Sequence, residues 1–206
     1  MSLNEHYFAQ LFAASDDPWQ FRTRWYERRK RQLILSCLPR QHYGRVFEPA
    51  CANGELSAAL ACSALLCQDG DPTAVSLARA RLHDIPHAVV EQGRLPTDWP
   101  SELFDLIVLG EIGYYLSAGE WRQVIEQTLA SLAPGGGVLA CHWGCHPSKG
   151  AYRTDDRSMP CLNDTCPCIG SCTMRKHNSC WSSGARSLAP STFKRPAHDR
   201  RHCPGT

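Results

Sequence analysis

Two carboxylates in this chain stand 21 positions apart, and each closes a short apolar run: Glu48 follows Val46-Phe47, and Asp69 follows Ala64-Leu65-Leu66-Cys67-Gln68. Between them Pro49-Ala50-Cys51-Ala52-Asn53-Gly54 is a turn of small residues. Small residues let the backbone approach a ligand, and the N–H groups that open a following helix point at it. In open α/β sheets ligands lie beyond the carboxyl ends of the strands, and an acid about 20 residues past the glycine turn accepts ribose hydroxyls. A carboxylate accepts two hydroxyl donors but repels a 2′-phosphate, so the pattern selects a nucleoside over an NADP-type ligand. Asp71 competes for the ribose; Asp69 fits better because it ends the apolar run directly. Ordinary loop carboxylates are the alternative, but two at this spacing on successive strand ends favour a site.

A pyrophosphate wants at least two glycines in the first turn. Here only Gly54 follows Ala50, Cys51, Ala52 and Asn53. The loop therefore suits a nucleoside without phosphate, such as S-adenosylmethionine, better than NAD or FAD.

The elements needed to position these groups are legible. Strands are expected at Arg45–Glu48, Ala64–Asp69, Ala88–Gly93, Phe104–Gly110 and Gly137–Trp143. Helices are expected at Glu55–Cys62, Pro72–Leu82 and Trp121–Leu132. Phe104-Asp105-Leu106-Ile107-Val108-Leu109-Gly110 is apolar on both faces, as a central parallel strand should be. Strands alternating with helices predict an α/β fold, a Rossmann-like doubly wound parallel sheet. Residues 5–38 look helical, with Asp16-Asp17-Pro18-Trp19 breaking the run before a second helix from Pro18 to Leu38. That helix mixes Trp19, Phe21, Trp25 and Tyr26 with six Arg and Lys residues. It reads either as an amphipathic helix with a solvated basic face or as a cap over the site.

Composition bounds the rest. The 206 residues, 43% apolar and 20% charged, describe one globular domain of ordinary size. No apolar run approaches the ~18 residues of a membrane span, and the N-terminus lacks a signal segment, so a cytoplasmic protein without membrane contact is expected. Residues 1–148 carry 12 basic and 16 acidic side chains, which gives no reason to expect nucleic acid; residues 149–206 carry 10 and 4.

Glu48-Pro-Ala-Cys-Ala-Asn-Gly54, Asp69, Gly93-Arg94-Leu95-Pro96, Phe104–Val108 and Leu132-Ala-Pro-Gly-Gly136 resemble successive motifs of class I S-adenosylmethionine-dependent methyltransferases. Asp16-Asp17-Pro18-Trp19, Cys51-Ala52-Asn53-Gly54 and Phe104 through Glu111-Ile-Gly-Tyr114-Tyr115-Leu resemble, more narrowly, the nodulation protein S family. The resemblance covers about residues 5–147. It implies N-methylation of the free amine of an amino sugar or oligosaccharide. It places Glu48, Ala50, Cys51, Gly54, Asp69 and Asp71 around the cofactor's methionine and ribose, and Leu95, next to Arg94, against its adenine. Glu111 would face the methyl group and the acceptor, as base or amine-orienting group, with Tyr114, Tyr115 and His142 around it. A helix N-terminal acid is the plainer role for Glu111. Trp19, Tyr26 and Arg29 are candidates to hold a sugar, by fold analogy. Two positions depart from the family: Ala50 replaces its first loop glycine, and Arg94 stands where many relatives carry an acid for the adenine amino group.

After about Trp143 the pattern stops. Residues 145–206 hold seven of the twelve cysteines, and no strand or helix is expected there. Domains are therefore expected at 1–40 (helical cap), 41–147 (cofactor-binding core, truncated at its C-terminal end) and 148–206 (a disordered tail). A zinc module using Cys161, Cys166, Cys168, Cys172, His177 and Cys180 lacks paired short spacings, so no metal is expected. A shift of reading frame near Gly144–Lys149 explains the tail's composition and the missing closing elements together.

Overall fold

A computed structural model describes residues 3–142, 171–176 and 179–183. Five strands form a parallel core: β1 (Tyr43–Pro49), β2 (Cys62–Asp69), β3 (Ala88–Gln92), β4 (Phe104–Gly110) and β5 (Leu132–His142). Two further strands, β6 (Ser171–Lys176) and β7 (Ser179–Ser183), complete one sheet in the order β3-β2-β1-β4-β5-β6-β7. The strand order reverses between β1 and β4, and ligands bind above such a switch point. The turn after Glu48 and the residue after Gly110 both sit there.

The sheet is buried on both faces because β1 and β4 are apolar at consecutive positions. Val46, Leu65, Leu106, Val108 and Leu139 pack on one side with Ile34 of α2 (Trp25–Ser36) and Val75 and Ala78 of α3 (Pro72–Arg81). Phe47, Ile107, Leu109 and Val138 pack on the other with Trp121 and Val124 of α4 (Ala118–Ala130). Phe47, Leu106 and Ile107 are fully buried, and each such side chain contributes about 1.5–3 kcal/mol. That rigid floor fixes where the strand-end acids stand.

Three expectations are corrected. The helix after β1 shrinks to one 3-10 turn, Ser57–Ala59. Tyr43 pairs with Cys62 at the bottom of the sheet, so the chain must return the length of β1 in about a dozen residues. An α-helix would need about 15 residues for those ~23 Å. The second helix starts at Trp25 instead of Pro18. Asp17 instead accepts the N–H groups of Phe21 and Arg22, and Gln20 turns left-handed at φ +59°. Finally, strands do follow β5: β6 adds antiparallel to it from Gly137 to His142, and β7 adds to β6. The outer edge of β5 offers backbone donors and acceptors that any extended segment can satisfy, whatever its side-chain pattern. The frame-shift and zinc readings rest on side chains outside the described residues.

α4 begins three residues before the expected Trp121 because Ser117 and Glu120 form a reciprocal capping box. Before the regular part of β5, Pro134-Gly135-Gly136 bulges, and Arg40 donates to the Gly135 carbonyl at 2.9 Å. Among the described residues no helix is long and apolar enough to cross a membrane.

Candidate active site

The turn after β1 is built from left-handed backbone. Ala50 has φ +56°, Ala52 +50° and Gly54 +76°. Gly54 also lies against α3: a Cβ there would stand 3.3 Å from the Ala78 Cα, so the smallest residue is required. The left-handed turn is held from within: the Cys51 and Gly54 N–H groups donate to the Gln68 and Cys51 carbonyls, and the Ala52 N–H to Asp69. For an alanine this conformation costs on the order of 1 kcal/mol. Ala50→Gly is therefore expected to stabilise the chain by about 0.5–1 kcal/mol, the strain relieved less the entropy of a freer unfolded chain. Chemical denaturation, with unchanged slope, is the check; a destabilised variant would show that the Ala50 methyl packs more than it strains.

Asp69 pins this turn. Its Oδ2 accepts the Ala52 N–H at 2.9 Å and its Oδ1 the Asp71 N–H at 3.0 Å. Burial pushes its carboxyl up to about 6, against the pull of these backbone donors. Asp71 is committed elsewhere: its Oδ1 caps α3 through Thr73 N at 2.8 Å and Ala74 N at 3.1 Å. Glu48, 5% exposed, is pushed by burial up to about 7, partly offset by the Ser57 hydroxyl, and its Oε2 has no hydrogen-bond partner among the described residues. Such a buried orphan is costly and marks a place where a ligand donor fits. Cys51 is buried beneath the turn, its N–H bonded to the Gln68 carbonyl at 3.1 Å.

Asn53 was not singled out from sequence. It is buried at the tip of the turn and donates to Asp17 Oδ1 at 3.0 Å, while its Oδ1 lacks a partner among the described residues. Arg22 and Arg81 both reach Glu55, at 3.5 and 3.0 Å. The segment preceding α2 is thus fastened to the turn after β1. The Arg94 N–H donates to Asp98 Oδ2 at 2.9 Å; the aliphatic stem of Arg94 lies by Gly70, and Leu95 packs on the second core face.

The other half of the site follows β4. Glu111 has φ +55°, and its N–H donates to the Cys141 carbonyl at 2.7 Å. The Tyr114 hydroxyl donates to Glu111 Oε2 at 2.8 Å, and Lys30 Nζ reaches Oε1 at 3.2 Å. Burial and the Glu111 charge push the Tyr114 phenol far up, so it stays a neutral donor. Burial opposes charge on Lys30, but Glu111 and Glu27 outweigh it and raise its pKa. Sequence reasoning missed Lys30 and the buried Glu27, 2.7 Å from it, because both look like members of a solvated basic helix. Their i, i+3 spacing, with Ile34 on the same face, was the available signal.

Aromatic rings wall this half. Tyr115 packs edge-on against Phe8 of α1 (Leu3–Ala14) at 4.8 Å and lies 4.6 Å from Tyr114. Trp19 stacks on Phe21 at 5.5 Å and meets Phe12 at 5.7 Å. Tyr26 is half-buried with Lys30 over its ring, whereas Arg29 is exposed and lies over exposed Trp25. His142 ends β5 opposite Ser171; its side chain lies outside the described residues.

A five-stranded parallel core with an acid at the end of β1, another at the end of β2 and a capped acceptor side beyond β4 is the fold of the class I methyltransferases. The description of the Nodulation protein S (NodS) family fits residues 5–141, and the chain belongs to that family. It is 34% identical over 130 residues to nodulation protein S of Rhizobium tropici, across 61% of this chain and 55% of that protein. The chain thus spans about half the length of that curated relative. The crystal structure of the N-methyltransferase NodS from Bradyrhizobium japonicum, in complex with S-adenosyl-L-homocysteine, matches with TM-score 0.64 and 28% identity, covering 68% of this chain and 73% of that one. A Pseudomonas syringae protein provisionally assigned as a methyltransferase matches at 55% identity and TM-score 0.55, covering 59% of this chain and 78% of that one.

Proposed function

We propose that this chain is an S-adenosylmethionine-dependent methyltransferase that N-methylates an amino sugar within an oligosaccharide. The observation that carries the reading is the pair of strand-end acids, buried Glu48 with an unpartnered Oε2 and part-buried Asp69 gripping a left-handed turn, side by side on adjacent strands. Glu48 is suited to the ammonium of the methionine part, Asp69 to the ribose hydroxyls, and the turn Ala50–Gly54 to close backbone approach. S-Adenosylmethionine, when bound, supplies a methyl group made electrophilic by a positively charged sulfur.

The chain's own residues do the rest. An amine must lose its proton to attack, and Glu111, ordered by Tyr114 and Lys30, is the carboxylate placed to orient it and take that proton. The ring wall from Phe8 to Tyr115 excludes water and aligns the acceptor, which is most of what a displacement needs. Trp19 and Tyr26 offer ring faces to a sugar, and Tyr115 flanks the acceptor side. The NodS relative, an N-methyltransferase, supports the choice of nitrogen.

A second reading follows from the family match ending at residue 141: a protein that holds the nucleoside without turnover. Calorimetric titration with S-adenosylhomocysteine, beside NADH, comes first, followed by transfer of labelled methyl to chitosan oligosaccharides. Saturable binding of the first ligand alone, with label on the sugar nitrogen, is the expected result. Binding without transfer selects the second reading, and binding of NADH alone would sink both.

A further inference from the structure

We infer that Lys30, steadied by Glu27, is the positioning residue that fixes Glu111 at the acceptor end of the site. This rests on the reading of Glu111 as the group that meets the acceptor amine. Glu111 departs from β4 in a left-handed conformation, φ +55°. In a residue with a Cβ that conformation is strained and persists only where the surroundings hold it. The backbone is tied by its N–H to Cys141, and one carboxylate oxygen by the neighbouring Tyr114. The other oxygen is met from a different element, by Lys30 on α2, 81 residues earlier in the chain.

Lys30 is itself placed with care. Its side chain is 17% exposed, 2.7 Å from Glu27 on the preceding turn, and its ammonium lies over the rings of Phe21 and Tyr26 at 5.9 and 5.8 Å. Two carboxylates and two ring faces converge on one cation, a set that holds an ammonium in a single place. Other ionisable groups acting on this cluster are Tyr26 on α2, Tyr114 and Tyr115 after β4, and Cys141 on β5. Lys30 stays protonated between two carboxylates, so it is not the base. Its effect is to keep one Glu111 oxygen fixed and to couple the seating of α2 to that carboxylate.

The test compares Lys30→Met, Lys30→Arg and Glu27→Gln with the parent chain. Lys30→Met is expected to lower kcat for methyl transfer about 100-fold, the usual cost of a misplaced group. KM for the oligosaccharide and the Kd for S-adenosylhomocysteine should stay within about threefold, since the loss is confined to the transition state. Lys30→Arg should recover most of kcat, and Glu27→Gln should show a smaller loss in the same direction. A kcat within about twofold of the parent overturns the inference, as does a loss of cofactor affinity parallel to kcat, which would make Lys30 merely structural. The contact has a readout independent of turnover: trace acetylation of Lys30 at about pH 9, read by peptide mass, should rise several-fold in Glu111→Gln because burial then acts on the ammonium with less opposition. If the parent chain binds S-adenosylhomocysteine but transfers no methyl, the proposed activity fails. The acetylation then decides the pairing, and unchanged labelling overturns it.

Discussion

Glu48→Gln is expected to make the ligand-free chain more stable at pH 8 and, by the same change, unable to hold its nucleoside tightly. Glu48 ends β1 fully surrounded by protein, and burial pushes its carboxyl from 4.5 up to about 7. Because the folded-state value lies above the unfolded one, the folded chain binds the extra proton between them. The group's contribution to stability is complete below about 4.5 and is lost as pH rises through about 7. At pH 8 the folded chain carries a buried carboxylate with one oxygen unbonded. Glutamine keeps the shape and removes the charge, so the variant should gain about 2–3 kcal/mol at pH 8 and nothing near pH 4.

Thermal unfolding of both chains between pH 5 and 8 checks this: the two melting curves should diverge as pH rises, and parallel curves would sink the argument. Binding should move the opposite way. The parent chain should take up S-adenosylhomocysteine more tightly from pH 6 to 8, releasing a proton that calorimetry in buffers of different ionisation enthalpy would register. Glu48→Gln should lose about 100-fold in affinity, because a buried charge-assisted contact is worth about 3 kcal/mol. A site that is destabilised until its ligand arrives is the usual relation between stability and function.

How much of this was legible in the sequence depends on whether a feature was local or long-range. The parallel core was readable because its strands are continuous apolar runs, and Phe104–Gly110 matched its expected bounds. Glu48, Asp69 and Glu111 could be placed because each follows such a run directly. The 3-10 turn at Ser57–Ala59 was not readable from its own residues, since Leu56, Ala58, Ala59 and Leu60 suit a helix. Its length is set by the pairing of Tyr43 with Cys62, a fact about the sheet. Lys30 and Glu27 stayed hidden for the same reason: their role comes from Glu111, brought near by the packing of α2 on β1 and β4. The departure at Ala50 was visible as an alanine in place of glycine; that its φ is positive, and its strain real, needed the backbone. β6 and β7 carry no amphipathic pattern, and an edge that needs only backbone partners does not require one.

Asp69→Ala should reduce affinity for S-adenosylhomocysteine at least about 100-fold while changing stability little, and Asp71→Ala should do the reverse. Removing the Asp69 carboxylate forfeits its bonds to the N–H groups of Ala52 and Asp71, each about 1.5–3 kcal/mol for a charged acceptor. It also relieves the chain of a carboxylate that burial has pushed from 3.8 up to about 6. That value already nets burial against those backbone bonds, so at pH 8 the ionised carboxylate is no net source of folding stability and its removal should change stability little. Binding has no such balance. On the proposed reading the ribose hydroxyls lose their acceptor, and the left-handed turn at Ala50 and Ala52 loses the carboxylate that holds the Ala52 N–H. Asp71 caps α3 through Thr73 and Ala74, so its loss should cost about 1 kcal/mol of stability and leave affinity within about threefold. Calorimetric titration and denaturant unfolding of the two variants side by side separate the roles. If Asp71→Ala loses as much affinity as Asp69→Ala, the ribose is held from the start of α3 and the strand-end acid serves only to brace the turn.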